Sequence, residues 1–200
     1  MFYITSLPEQ PEGYVNISTS SQWERWVRRS LPEGLDVEVQ RRLVSNLKHV
    51  LVGLELKAAL IVPHARRGSG PSILFEPYMH IMSFEFCVGV FSVCEGIGSA
   101  LWLRANGFDG SAANRIGFDE WRPSLVSTFD PRGEFALEAG VDRVKSVRDK
   151  LHQDRLGARE NIDWHAFSFD EAFAPAFKAL QVLLLRREQD LPNDTNLRAF

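Results

Sequence analysis

From Ile81 to Leu103 the chain holds only two charged residues, Glu85 and Glu95, in an otherwise apolar run. A segment of that length and hydropathy has to be covered on most sides, by lipid or by the rest of the protein. The two carboxylates interrupt it and Gly96 and Gly98 follow, which favours a buried central helix, from about Glu76 to Ala105, over a membrane span. The remaining sequence must then supply amphipathic surfaces that pack around this helix. With 200 residues, 44% of them hydrophobic and 24% charged, the chain can bury a sizeable core. It reads as one globular domain, 1–200, and neither a disordered nor a fibrous one.

The flanking sequence provides those surfaces. Between Asp36 and Val62, Val39, Leu43, Leu47, Val50, Leu51, Leu54 and Ala58 recur at helical spacing. From Glu134 to about Leu156 a third helix carries the stripe Leu137, Val141, Val144, Val147 and Leu151. Ser168-Phe169-Asp170-Glu171 has the form of a capping box that opens a fourth helix through Leu185, with Pro175 as a kink point. Ser21-Gln22-Trp23-Glu24 has the same form and starts a short helix that Pro32 ends. Pro63 to Pro71 and Asn106 to Gly117 are loops by composition, and a short element precedes Pro131. Residues 1–19 read as an extended arm and 190–200 as a polar tail. The expected fold is an all-α, antiparallel four-helix-type bundle with its core over 36–187, an N-terminal arm and short accessory helices. Cys87 and Cys94 lie two helical turns apart, too far to form a disulfide with each other, and are expected as buried free thiols in a reducing cytoplasm. The start of the chain lacks the basic and long apolar regions of a signal peptide.

A formal net charge of −3 gives no global attraction to polyanions, so any such site has to be a local patch. The third helix offers one. Between Arg143 and Arg159 there are six Lys or Arg against two Asp. In the stretch VRDKLHQDR, Arg148 falls within the apolar stripe and His152 lies one turn on, at its edge; Arg155 returns to the side of Arg148. An arginine directed inward needs an acid. On a helical wheel Glu85 and Glu95 share a polar strip with Ser92 and Ser99, so Glu95 or Glu85 is expected to pair with Arg148 across the bundle. The plainer reading makes these residues structural ion pairs and the basic run a solvated helix face. His152, His165 and the nearby Asp154, Glu160 and Asp163 are the only grouping that suggests zinc, without a recognised ligand spacing, so no metal is expected. No Gly-rich phosphate loop and no G-x-S-x-G elbow is present, and no cofactor is expected.

Arg148-Asp149-Lys150-Leu151-His152 on the third helix of a small helical chain, with an acid on the preceding apolar helix, resembles the HEPN superfamily of bundle proteins. The motif there is an arginine, a polar residue and a following histidine, and the interval here is shorter than the family's usual one. The resemblance spans roughly Asp36 to Leu185 by helix order. It implies metal-independent RNA cleavage of the kind found in toxin and defence ribonucleases, with catalytic roles for Arg148, His152 and Glu95. His152 would act as general acid or base, Arg148 would stabilise charge on the phosphate, and Glu95 would hold Arg148 in place. A homodimer, RNA and an antitoxin or other protein are the implied partners, with no membrane association. The competing expectation is a non-catalytic bundle that works by dimerisation or by binding a partner protein.

Overall fold

The computed structural model describes residues 17–61, 76–107, 116–150, 164–193 and 195–198. They form an all-helical bundle of six α-helices with no strand among them. The helices are α1 (Ser20–Ser30), α2 (Val37–Leu60), α3 (Glu76–Asn106), α4 (Phe118–Phe129), α5 (Leu137–Asp149) and α6 (Ala174–Leu185).

α3 is the central element. Val90, Val93, Cys94 and Ile97 are wholly buried along one side of it, and α2, α4, α5 and α6 all pack against it. It is long and apolar enough by composition to cross a membrane, and half of its apolar window is covered within the fold. Each neighbour reaches α3 at a definite level. Leu54 of α2 approaches Gly89 and Leu47 approaches Gly96, so α2 runs antiparallel to α3. Trp121 of α4 lies on Gly98 and Phe118 stacks on Phe91, so α4 runs alongside α3 in the same direction. α5 turns back along α4, with Arg122 against Asp142 and Phe118 under Lys145. α6 runs antiparallel to α5, where Arg143 meets Glu171 and Gly140 meets Ala179. One apolar cluster joins residues of all six helices.

Local chemistry explains most boundaries. Asp36 caps α2 by accepting from the N–H groups of Glu38 and Val39. The first helix begins two residues earlier than the Ser21 capping box implies. Thr19 is its N-cap and Gln22 the reciprocal partner, so the overlapping T-x-x-Q box takes the helix start. Ser168 does cap the last helical segment, accepting from the N–H of Glu171. That segment opens as a π turn over Phe169–Phe173 and becomes α-helical at Ala174, beside Pro175, which has no N–H to donate.

α5 begins at Leu137 and not at Glu134. Its first N–H is satisfied by a side chain seven residues back: the buried Asp130 carboxylate accepts from Leu137 N at 3.0 Å and also, ahead of the helix, from Phe135 N at 3.3 Å. The turn that brings this carboxylate into place puts Ala136 at φ 53°, in the left-handed region. A methyl group there is strained, and glycine is not. Ala136→Gly is therefore expected to raise stability by about 0.5–1 kcal/mol, read as a higher urea midpoint with unchanged slope. A lower midpoint would show that Ala136 is not held in this conformation.

The expected polar tail is a docked segment. Leu191 and Leu197 are buried, Asn196 donates to the Glu55 carbonyl, and Gln181 donates to the Arg198 carbonyl. Of the expected N-terminal arm, 1–16 lie outside the described residues. Its end is fixed by Ser18, whose N–H and hydroxyl both donate to the carboxylate of Glu55, at 2.7 and 2.9 Å. Glu55 is fully buried in the C-terminal half of α2, so the same residue ties down both ends of the described chain.

Cys87 and Cys94 are buried free thiols, and burial pushes both up to about 12. The thiolate is the reactive form. A thiol reagent at pH 8 is expected to label neither in the native protein and both after unfolding. Rapid labelling of the folded chain would contradict the burial.

Candidate functional site

α5 presents its cations beside two aromatic rings of α3 and α4. Val144 and Val147 are buried, which holds Lys145 and Arg148 at the edge of the core, half-buried. The Arg148 guanidinium lies 4.6 Å from the centroid of the Phe91 ring, and the Lys145 ammonium lies 5.3 Å from that of Phe118. Both are cation–π contacts, and the ring faces replace part of the water that the charges lose. Phe91 and Phe118 stack, with planes 13° apart, so the two cations rest on one aromatic ledge.

Asp149 is the acid of this cluster. Its carboxylate accepts from Arg148 Nη1 at 3.0 Å and, through its other oxygen, from Lys145. Two cations share one anion, and Lys150 follows with its ammonium 6.0 Å from the Phe167 ring centroid. The C-terminal end of α5 therefore keeps a local positive excess on a chain of net charge −3. Arg143, at the start of the basic run, is used structurally: it donates to the carbonyl and the carboxylate of Glu171.

The acid expected to hold Arg148 is not the one that does. Glu85 pairs with Lys57 of α2 at 3.5 Å and is exposed. Glu95 is half-buried and forms no ion pair or hydrogen bond with a described residue. The strip that carries Glu85, Ser92, Glu95 and Ser99 is the outer side of α3, opposite the buried Val90–Ile97 side. Ser92 satisfies its hydroxyl within the helix, on the Val88 carbonyl. Nothing polar across the bundle is needed. α5 meets α3 beside this strip, at Phe91.

His152 and Arg155, together with Asp154 and Glu160 of the zinc alternative, lie outside the described residues, as do Asp163 and the side chain of His165. The pair Arg148 and His152 is thus described only at its arginine. Among the described residues no group of His, Cys, Asp or Glu could hold a metal ion. The sequence reasoning missed Asp149 as the partner of Arg148, although the Lys145–Asp149 interval of four residues is a salt-bridge spacing on a helix. It also missed the aromatic ledge, whose signal is weaker, since Phe91 and Phe118 come from separate helices. No family model matches the chain, and no curated protein or solved structure matches it significantly.

Proposed function

We propose that the protein is a HEPN-like helical bundle of the cytoplasm that cleaves RNA without a metal, with Arg148 and His152 as its working pair. The observation that carries this reading is the half-buried Arg148 guanidinium, held between the Asp149 carboxylate and the Phe91 ring at the positive end of α5. A cation fixed in this way is pre-organised to accept charge on a phosphate. His152 stands three positions beyond Asp149 in the sequence and supplies the proton transfer that cleavage by a ribose 2′-hydroxyl requires. Asp149 takes the positioning role first assigned to Glu95.

The test is incubation of the purified chain with single-stranded and structured RNA in excess EDTA. Cleavage that survives chelation supports the proposal. A folded protein that cleaves none of these substrates, with or without divalent ions, overturns it.

One observation favours a second reading, a bundle that acts by pairing with another protein or with its own copy. The outer side of α3 and the adjoining side of α2 enclose an open cavity of about 520 Å³ along Val50, Phe84 and Val88. Beyond it Tyr78 and Ile81 are 57% and 42% exposed. Large apolar side chains left open along one helix suit a partner. Sedimentation of the chain at increasing concentration separates a dimer from a monomer.

A further inference from the structure

The end of the bundle away from Arg148 gathers three helix C-termini: those of α1, α4 and α6. Between them lies a cavity of about 360 Å³ lined by Arg29, Ser30, Thr128, Arg186 and Arg187, with a wall of Leu31, Pro32, Leu101 and Phe129. It stands one length of α4 from the ledge at Phe118, or roughly 15–20 Å.

Other arginines of this chain are put to use. Arg104 donates to the Glu33 carbonyl, Arg143 to Glu171, Arg122 to Asp142 and Arg25 to Asp190. Arg29, Arg186 and Arg187 differ: among the described residues none of their guanidinium groups forms an ion pair or donates a hydrogen bond, and all three residues are exposed. They do not cap the helix ends at which they sit. The hydroxyl of Ser30 is the second observation. Ser30 is 7% exposed, and its buried oxygen has no hydrogen-bond partner among the described residues, although a serine in a helix ordinarily finds a carbonyl one turn back. The cavity thus combines three unused guanidinium groups with an unused, buried donor.

The charge balance indicates the ligand. Three arginines bring three positive charges, and each helix C-terminus offsets about half a charge, which leaves an excess of about 1.5. A phosphomonoester carries about −1.5 to −2 at neutral pH, and planar guanidinium groups match its oxygens two at a time. The volume exceeds what a bare phosphate fills, and the apolar wall gives an organic group a surface to cover. We propose that this cavity binds a phosphomonoester of a small molecule, with Arg29, Arg186 and Arg187 on the phosphate, Ser30 donating to it, and the organic part against Leu101 and Phe129. The site is separate from the proposed ribonuclease centre and does not rest on that reading.

The probes are phenyl phosphate, inorganic phosphate and phenol, titrated calorimetrically into the full chain at fixed ionic strength. Phenyl phosphate should bind at least about ten-fold more tightly than inorganic phosphate, since only it uses the apolar wall, and phenol should not bind detectably. The triple variant Arg29→Gln, Arg186→Gln, Arg187→Gln, changed only at exposed positions, should fold normally and lose phenyl phosphate binding by at least about ten-fold. Ser30→Ala should weaken it by a smaller factor. Equal affinity in the parent and the triple variant overturns the proposal. So does a response to RNA alone, with none to phenyl phosphate.

Discussion

His152→Ala is expected to lower RNA cleavage by about 10²–10⁴-fold, the usual contribution of a positioned general acid or base, with the helical signal and melting temperature unchanged. The same loss should not follow from Glu95→Gln. Glu95 forms no ion pair or hydrogen bond with a described residue, so removing its charge leaves the Arg148 contacts as they are. Asp149→Asn is the discriminating variant. It removes the charge shared by Arg148 and Lys145 while keeping the shape of the side chain. A positioning role predicts a lower kcat with little change in KM, because the arginine still attracts phosphate but is no longer aimed. If Asp149 only balances charge, tighter RNA binding with unchanged turnover is the expected result. Full activity in His152→Ala would remove the histidine from the mechanism and the ribonuclease reading with it.

The contrast between Glu95 and Asp149 shows where reading the sequence stops. A wheel gives angles between residues of one helix, and it correctly groups Glu85, Ser92, Glu95 and Ser99. It does not say what faces the group. A polar strip on a greasy helix either faces a polar partner across the core or lies at the outer edge, and in α3 it lies at the outer edge, where Glu85 pairs with Lys57 and Ser92 bonds within its own helix. The period of α2 and the Ser168 cap were legible because both are local. Glu55 was not, since its value comes from Ser18 and Asn196, which are distant in the chain. The tail was misread for a related reason. Leu191 and Leu197 are two apolar residues in a polar stretch, and only the neighbouring helices turn them into buried ones. Helices and their caps are encoded within a few residues, but the partners of buried polar groups are set by packing.

The α3 glycines carry information about those neighbours that the period does not, and one of them sets a sharp expectation. Glycine to alanine inside an α-helix normally stabilises by roughly 1 kcal/mol. Gly98→Ala should do the reverse. A Cβ at Gly98 would fall 2.6 Å from Cε3 of Trp121 and 3.0 Å from the Trp121 carbonyl oxygen. Trp121 is 1% exposed and contacts Phe91 and Phe118, so the ring has nowhere to turn, and the carbonyl belongs to the α4 backbone. Relief requires α4 to move away from α3. Overpacking of this kind costs about 1–3 kcal/mol and occasionally more, and a contact that includes backbone belongs at the upper end. After the propensity gain, a net loss of about 2 kcal/mol is expected, or roughly 4–8 °C in a chain of this size. Gly53→Ala in α2 is the matched control, because its Cβ would meet only the Lys57 ammonium at 3.9 Å, and it should gain about 0.5–1 kcal/mol. Opposite signs in thermal and urea unfolding establish that α4 seats on α3 through Gly98. Equal gains in both variants would mean that the two helices do not approach this closely. The ledge of Phe91 and Phe118, which sits on the same interface, would then lose its support as the seat of Arg148.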